Sequence, residues 1–344
     1  MTGAALRLAI VGVGWAGTRQ TESVGELGDG TLQVVCLVDP DVDHLTDRSK
    51  VLGVERICSD LPEILADPDI DAVSICSPHR FHCEQAVAAA EAGKHILVEK
   101  PMAMDVDEAT RMIDAASKAH VCLYVAESAT YQPVASFLRD VVRQGRWIGE
   151  LTAASVSAGF RAPAYGYPDR RAWLAQPEHG GTGTWALHGI HTIAQMRYVL
   201  GEVAVVYAHQ HRAASFERDD VEATVSATLT LDSGLMVQLL QTAETKIPPM
   251  LAGYVLHGDR GSLHAGPAGC RIFTDEDHGT LVDIPAARHS EHALELEAFA
   301  ATVAGVEGPT TGLSERRSLA VVEAGYESMR TGLPVDLEQR FGVL

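Results

Sequence analysis

Short apolar runs alternate with helical patterns through the first 125 residues. Residues 6–11, 32–38, 72–76, 96–98 and 122–125 read as strands, and residues 17–27, 43–52, 59–65, 82–92 and 105–119 as the helices between them. This succession predicts an α/β domain, a doubly wound parallel sheet with helices on both faces. Ser59 and Asp105 are the expected N-caps, and Gly93 the expected C′ residue of the helix ending near Ala92.

The pattern changes near Glu127. Residues 133–144 form one more helical stretch. Beyond Gly149 come long alternating runs without regular crossover helices, at 151–158, 203–211, 222–231, 235–242 and 252–257. The stretch 225–231, VSATLTL, alternates as an antiparallel strand with one wet face does. Asp232-Ser233-Gly234 reads as a hairpin turn. Helical stretches at 291–303 and 315–331 close the chain. The prediction is a Rossmann-type domain over 1–126 and an α+β domain over 127–344. The second is built on a large open, mainly antiparallel sheet, and its C-terminal segment is free to pack back on the first.

Composition narrows the functions. The 344 residues agree with two domains of about 150 residues each. A 46% hydrophobic and 21% charged chain is ordinary for a globular protein with a sizeable core. With 27 basic against 46 acidic residues the formal charge is -19, which argues against nucleic-acid and membrane-surface partners. Residues 1–17 have a short apolar part, lack clustered positive charge and run straight into a glycine motif. They read as a first strand rather than a signal peptide. Cys36, Cys58, Cys76, Cys83, Cys122 and Cys270 form no C-x-x-C pair and sit mostly in apolar runs, which suggests buried thiols in a reducing cytoplasm.

Gly12-Val13-Gly14-Trp15-Ala16-Gly17 matches G-x-G-x-x-G, directly after a strand and opening a helix. In that context the first glycine makes the tight turn, and the second lets backbone approach a pyrophosphate. The third lets helix pack on strand, with the helix N-terminal N–H groups towards the anion. Asp39 ends the second strand, where a carboxylate accepts from ribose hydroxyls and repels a 2′-phosphate; no arginine follows it. The cofactor expected is NAD in preference to NADP.

Three more motifs follow at fitting places. Ser77-Pro78-His79-Arg80-Phe81-His82 follows the third strand and Glu99-Lys100-Pro101 the fourth, and the glycine-rich stretch 180–183 leads into a helix carrying His191. With the strand-rich second half, they make the chain resemble the glucose-fructose oxidoreductase / inositol dehydrogenase / rhizopine-catabolism (Gfo/Idh/MocA) family over nearly its whole length. The resemblance implies an NAD-dependent dehydrogenase acting on a hydroxyl or carbonyl carbon of a sugar, cyclic polyol or sugar derivative. It puts Lys100 near the nicotinamide and the reacting oxygen, where an ammonium polarises a carbonyl or eases loss of a hydroxyl proton. It makes Gly12, Gly14, Trp15, Ala16, Gly17, Asp39, Ser77, Pro78, His82, Glu99 and Lys100 the cofactor-binding set. His82 stays open between a ligand role and a capping or packing role. His79 stands where the family often has asparagine, so only a backbone contact is carried over there.

One family motif is broken. The usual Asp-x-Gly-x-His reads here Leu187-His188-Gly189-Ile190-His191, and Ala194 stands where a second aspartate is common. His191 is the expected proton-transfer residue, since imidazole suits that task near neutrality. On a 3.6-residue helix Thr184, His188, His191 and Gln195 would form one polar stripe facing the cleft, with His188 replacing the missing carboxylate. Leu187 would shape the pocket with apolar surface. That His188 merely hydrogen-bonds backbone or water is the other reading. No third ligand is fixed by spacing to turn the histidine pair into a metal site, and no metal is expected. Arg161, Tyr165, Tyr167, Arg170 and Trp173 lie in a loop-like segment that either contacts substrate or packs against a neighbouring subunit. Glu127 and Tyr131 are weaker cleft candidates. Two further functions stay open: a dehydrogenase of cyclic aryl dihydrodiols, and a catalytically silent NAD-binding regulator. The large open sheet predicts a homodimer or homotetramer.

Overall fold

In a computed structural model the chain is described over residues 5–28, 30–161, 173–174, 176–180, 182–214, 216 and 220–344. It divides into two compact units, one of Met1–Tyr131, Tyr167–Gly180 and Arg288–Arg316, the other of Gln132–Gly166, Gly181–Ala287 and Arg317–Leu344.

The first unit carries six strands: β1 (Leu6–Val11), β2 (Leu32–Val38), β3 (Ile57–Cys58), β4 (Ala72–Ile75), β5 (His95–Glu99) and β6 (Leu123–Ala126). All pair in parallel, in the order β3-β2-β1-β4-β5-β6. The chain order reverses between β1 and β4, and a crevice outside the carboxyl ends of such a pair is where open α/β sheets bind ligands. The helices are α1 (Trp15–Val24), α2 (Val42–Leu52), α3 (Leu61–Ala66), α4 (His82–Glu91) and α5 (Val106–Ala119). Asp105 caps α5 by accepting from the Glu108 amide at 2.8 Å. Gly93 follows α4 with φ 73°. The cap expected at Ser59 falls instead on Asp60, because α3 starts at Leu61.

The second unit begins with α6 (Pro133–Gln144) and β7 (Leu151–Gly159), followed by α7 (Ile190–Leu200) and β8 (Val203–His211). Then come β9 (Thr224–Leu231), β10 (Met236–Thr242), β11 (Gly253–Gly258), β12 (Ser262–Gly266), β13 (Gly269–Phe273) and β14 (His278–Val282). Gly234 makes the expected β9–β10 turn with φ 84°. The alternating inner residues Val225, Ala227, Leu229 and Leu231 join Val237, Leu239, Ile193 and Met196 in one core.

The chain then adds α8 (Glu291–Val303) to the first unit, where Leu296 and Phe299 pack with Leu8, Ile10 and Tyr124. The closing elements are α9 (Gly312–Thr331), β15 (Val335–Asp336) and α10 (Leu337–Phe341). β15 completes a nine-stranded sheet in the order β14-β13-β12-β11-β7-β10-β9-β8-β15, antiparallel throughout except for β7 with β10. Among the described residues no helix is long and apolar enough to cross a membrane.

The crossing of α1 over β1 leaves no room for a side chain at Gly17: a Cβ there would stand 2.2 Å from the Gly12 carbonyl oxygen and 2.9 Å from Ile10 Cγ2. Gly17→Ala must therefore displace backbone. It is expected to lower unfolding free energy by about 1–3 kcal/mol, the usual cost of overpacking a tight site. An unchanged denaturant midpoint would mean the crossing has slack.

Candidate functional site

At the end of β1 the chain turns through Gly12, whose φ of 91° suits glycine. A Cβ there would lie 2.8 Å from the carbonyl of Cys76 and the amide of Ser77. Gly14, by contrast, has open space within 4 Å of where its Cβ would stand. α1 then starts at Trp15 with no side-chain cap and no acidic residue in its first turn. The first and third glycines are thus filled by protein, and the second and the helix N-terminus are left to receive an anion, the cradle a dinucleotide pyrophosphate requires. Trp15 is 59% exposed beside this turn.

Asp39, buried at the end of β2, braces the same loop. Its Oδ2 accepts from the Val13 amide at 3.0 Å and its Oδ1 from the Asp41 amide at 3.1 Å.

The two motifs after β4 and β5 are joined by one histidine. His82 is fully buried, with Nε2 2.8 Å from the Ser77 carbonyl oxygen and Nδ1 3.0 Å from that of Pro101. Burial pushes its pKa down to about 4. A neutral imidazole has one N–H, so near neutrality it donates to one carbonyl only. The side chain reaches no open surface, and this geometry favours the packing reading. Ser77 Oγ donates to Gln85 Oε1 at 2.6 Å, and Pro78 opens the short turn His79–Phe81. His79 is buried as well, its Nδ1 3.2 Å from the Gly180 carbonyl oxygen and its ring edge-on to Trp173 at 4.8 Å. A Cβ on Gly180 would meet that ring at 2.6 Å. Only a backbone contact was expected at His79, yet its side chain contacts Trp173 and Gly180 of this unit.

Glu99 and Lys100 stand at the carboxyl end of β5, and the Lys100–Pro101 peptide is cis. Glu99 accepts from Gln20 Nε2 at 2.8 Å, and Gln20 Oε1 accepts in turn from Ser74 Oγ. Burial pushes the Glu99 carboxyl up to about 7, against the pull of Lys100. Burial lowers the Lys100 pKa, opposed by the carboxylates of Glu127 and Glu99. Glu127 is fully buried and accepts from the Ala129 amide at 3.0 Å. The first unit thus groups the glycine loop, Asp39, Ser77, Pro78, Glu99 and Lys100 on the carboxyl ends of its strands.

In the second unit the expected polar stripe does not form. Residues Trp185–Gly189 make a π-helical turn before α7, and the wider turn breaks the 3.6-residue register. Thr184 and Gln195 are buried, the first accepting from Gln241 Nε2 at 3.3 Å and the second donating to Gln132 Oε1 at 3.0 Å. Leu187 is buried too. His188 and His191 are half-buried, and the His188 ring packs edge-on against Phe160 at 4.4 Å. A residue the sequence did not single out holds this turn. Buried Glu222 accepts at Oε1 from the Trp185 amide at 2.7 Å and from Tyr326 Oη at 2.9 Å. A Cβ on Gly183 would stand 2.2 Å from that carboxylate. Glycine in the run before His191 is therefore the space Glu222 occupies.

Arg161 is exposed just after β7. Tyr165, Tyr167 and Arg170 lie outside the described residues. Among the described residues no group of three or more His, Cys, Asp or Glu side chains is arranged to hold a metal ion.

Comparison with known proteins matches residues 6–127 to an oxidoreductase family with an NAD-binding Rossmann fold and residues 136–264 to the GFO/IDH/MocA C-terminal domain. The 1,5-anhydro-D-fructose reductase of Ensifer adhaerens is 30% identical over 319 residues, 89% of this chain and 91% of the relative. The D-glucoside 3-dehydrogenase of Escherichia coli is 26% identical over 358 residues, 98% and 99% of the two chains. The crystal structure of an aldose-aldose oxidoreductase from Caulobacter crescentus superposes with a TM-score of 0.85 at 23% identity, covering 96% of this chain and 99% of the other. That last likeness speaks for the fold.

Proposed function

The chain belongs to the Gfo/Idh/MocA family of NAD-binding oxidoreductases, and from that premise we propose that its substrate is a sugar, cyclic polyol or sugar derivative oxidised or reduced at a CH–OH carbon. The observation that carries the reading is Lys100, at the carboxyl end of a parallel strand, in the field of two carboxylates and in the unit that bears the glycine loop.

We assign residues 1–126 to cofactor binding and residues 127–344 to substrate binding and self-association. The loop Gly12–Gly17, with Trp15 and Ala16 in the first turn, receives the pyrophosphate. Asp39 receives the adenosine ribose, and Ser77 and Pro78 border the cleft. His82 acts by packing between Ser77 and Pro101 and donating its one N–H to one of their two carbonyls. Bound NAD+ supplies the hydride acceptor. Lys100, in its ammonium form, hydrogen-bonds the reacting oxygen and steadies negative charge as it develops there. The carboxylates of Glu99 and Glu127 favour that charged form. His191 takes the hydroxyl proton on its imidazole, and His188, held against Phe160, supports it. Arg161 and Trp173 are assigned to substrate contact, since an indole stacks on the apolar face of a sugar ring. Six cysteines without a disulfide fit a reducing cytoplasm. A homodimer or homotetramer formed through the nine-stranded sheet accounts for its outer face.

A screen for NAD+ reduction across sugars, inositols, sugar acids and aryl dihydrodiols tests the reading. Turnover of dihydrodiols alone would replace it, and inactivity with tight NAD binding would favour a regulator.

The unmodified protein is expected to bind NAD(H) more tightly than NADP(H), and Asp39→Ala to narrow the gap. A titration in which NADP(H) wins for the unmodified protein would refute the assignment of Asp39. Lys100→Met should abolish most turnover while leaving cofactor affinity within about tenfold, roughly 1.4 kcal/mol. Normal turnover in that variant would make Lys100 structural. His191→Ala should reduce kcat by about 10²–10⁴-fold, the range for loss of a general acid or base. An unchanged rate and pH profile would remove histidine from the proton transfer.

A further inference from the structure

The first unit buries more negative charge than hydride transfer calls for. α8 packs against the turn Ser128–Tyr131 and against β6, and brings Glu295 inside. Glu295 is 1% exposed and its Oε2 has no hydrogen-bond partner. It lies in the field of Glu99 and Glu127, the two carboxylates that also act on Lys100. Glu291 on the same helix adds a further negative charge. The Cys76 thiol and the Tyr131 phenol feel Glu295 in turn. On the β4–α4 side, His79 and His82 are held neutral by burial.

Were Glu99, Glu127 and Glu295 all ionised, three negative charges would share a buried region with one ammonium. Such an excess is unfavourable and is relieved by taking up a proton. Hydrogen bonding says where the proton sits. Glu99 has the Gln20 amide and Glu127 the Ala129 amide, donors that stabilise a carboxylate. Among the described residues none donates to Glu295.

We propose that Glu295 holds the proton of this carboxyl cluster and releases it when the positively charged nicotinamide of NAD+ is bound beside Lys100, whereas NADH leaves it protonated. This rests on the assignment of Lys100 to the nicotinamide side of the cofactor. The added cation stabilises the carboxylate, so Glu295–COOH becomes Glu295–COO⁻ and one proton leaves to solvent; no electron moves. When hydride neutralises the ring, the carboxylate recovers a proton, matching the one the substrate hydroxyl gives up. Burial, reinforced by Glu99, Glu127 and Glu291, holds the carboxyl well above its ordinary range.

The test is calorimetric titration of NAD+ and of NADH in buffers of different ionisation enthalpy, near neutral pH, for the unmodified protein and Glu295→Gln. NAD+ binding to the unmodified protein should release a large fraction of one proton, and NADH binding close to none. Its NAD+ affinity should tighten with rising pH by at most about tenfold per pH unit, the limit for one coupled proton. In Glu295→Gln the difference between the cofactors should fall by at least half. Infrared difference spectra of the unmodified protein give the same answer without a variant, as loss of a protonated-carboxyl band on adding NAD+ but not NADH. Binding without proton release, or release undiminished in Glu295→Gln, overturns the inference and leaves the cofactor assignment standing. Failure of either cofactor to bind would sink both.

Discussion

A half-buried ammonium is the constraint around which the first unit is arranged. Burial alone drives Lys100 towards its neutral amine, and the carboxylates of Glu99 and Glu127 oppose that. Glu127 is buried and Glu99 half-buried, and both must be held. Glu99 is held by Gln20, reaching from α1, which is anchored by Ser74 on β4. Glu127 is held by the Ala129 amide of the turn after β6. A polar thread thus runs through the parallel sheet from the glycine-loop helix to the lysine. Ser74, Gln20 and Glu99 are joined in it by hydrogen bonds, and the lysine by charge.

The second unit meets a related problem with another carboxylate. The family's aspartate is absent at Leu187, and that side chain is buried. Glu222, from the edge of β9, instead grips the backbone at the start of the π-helical turn, through the Trp185 amide and the Tyr326 hydroxyl. Trp185 is fixed a second time, by its indole N–H to the Val322 carbonyl at 3.1 Å, against a face of α9 where Gly325 admits no side chain. The π-helical turn before His191 is therefore held from two sides. Such support is what lets a π turn persist, and these turns recur at functional sites.

Much of the fold was legible because it obeys short-range rules. The parallel strands are continuous apolar runs, the long antiparallel strands alternate, and α6 and α8 match their helical patterns to the residue. What escaped leaves no clear periodic signal in the sequence. β12, β13 and β14 are five residues each, too short and glycine-flanked to signal themselves, and form by pairing with one another. The register of the His188–His191 helix could not be read, since a 3.6-residue count presumes an unbroken α-helix. Glu222 and Glu295 carry no motif. A glutamate in a strand-flanking or helical pattern reads as surface until the fold buries it.

The motif residues fared differently from one another for the same reason. Gly12, Gly14 and Gly17 are intelligible from sequence because glycine chemistry is local: φ, clearance and close approach. Histidines are not, because their chemistry is set by what surrounds them. His82 carries a family motif, yet full burial removes it from solvent and leaves it a packing group whose one N–H serves one of two facing carbonyls. His79 departs from the family, yet its ring fixes Trp173 and depends on a glycine at 180. An asparagine at 79 could still reach a backbone oxygen but offers no aromatic edge to the indole. The departure at 79 therefore belongs with Trp173, and the two act as one wall in this unit.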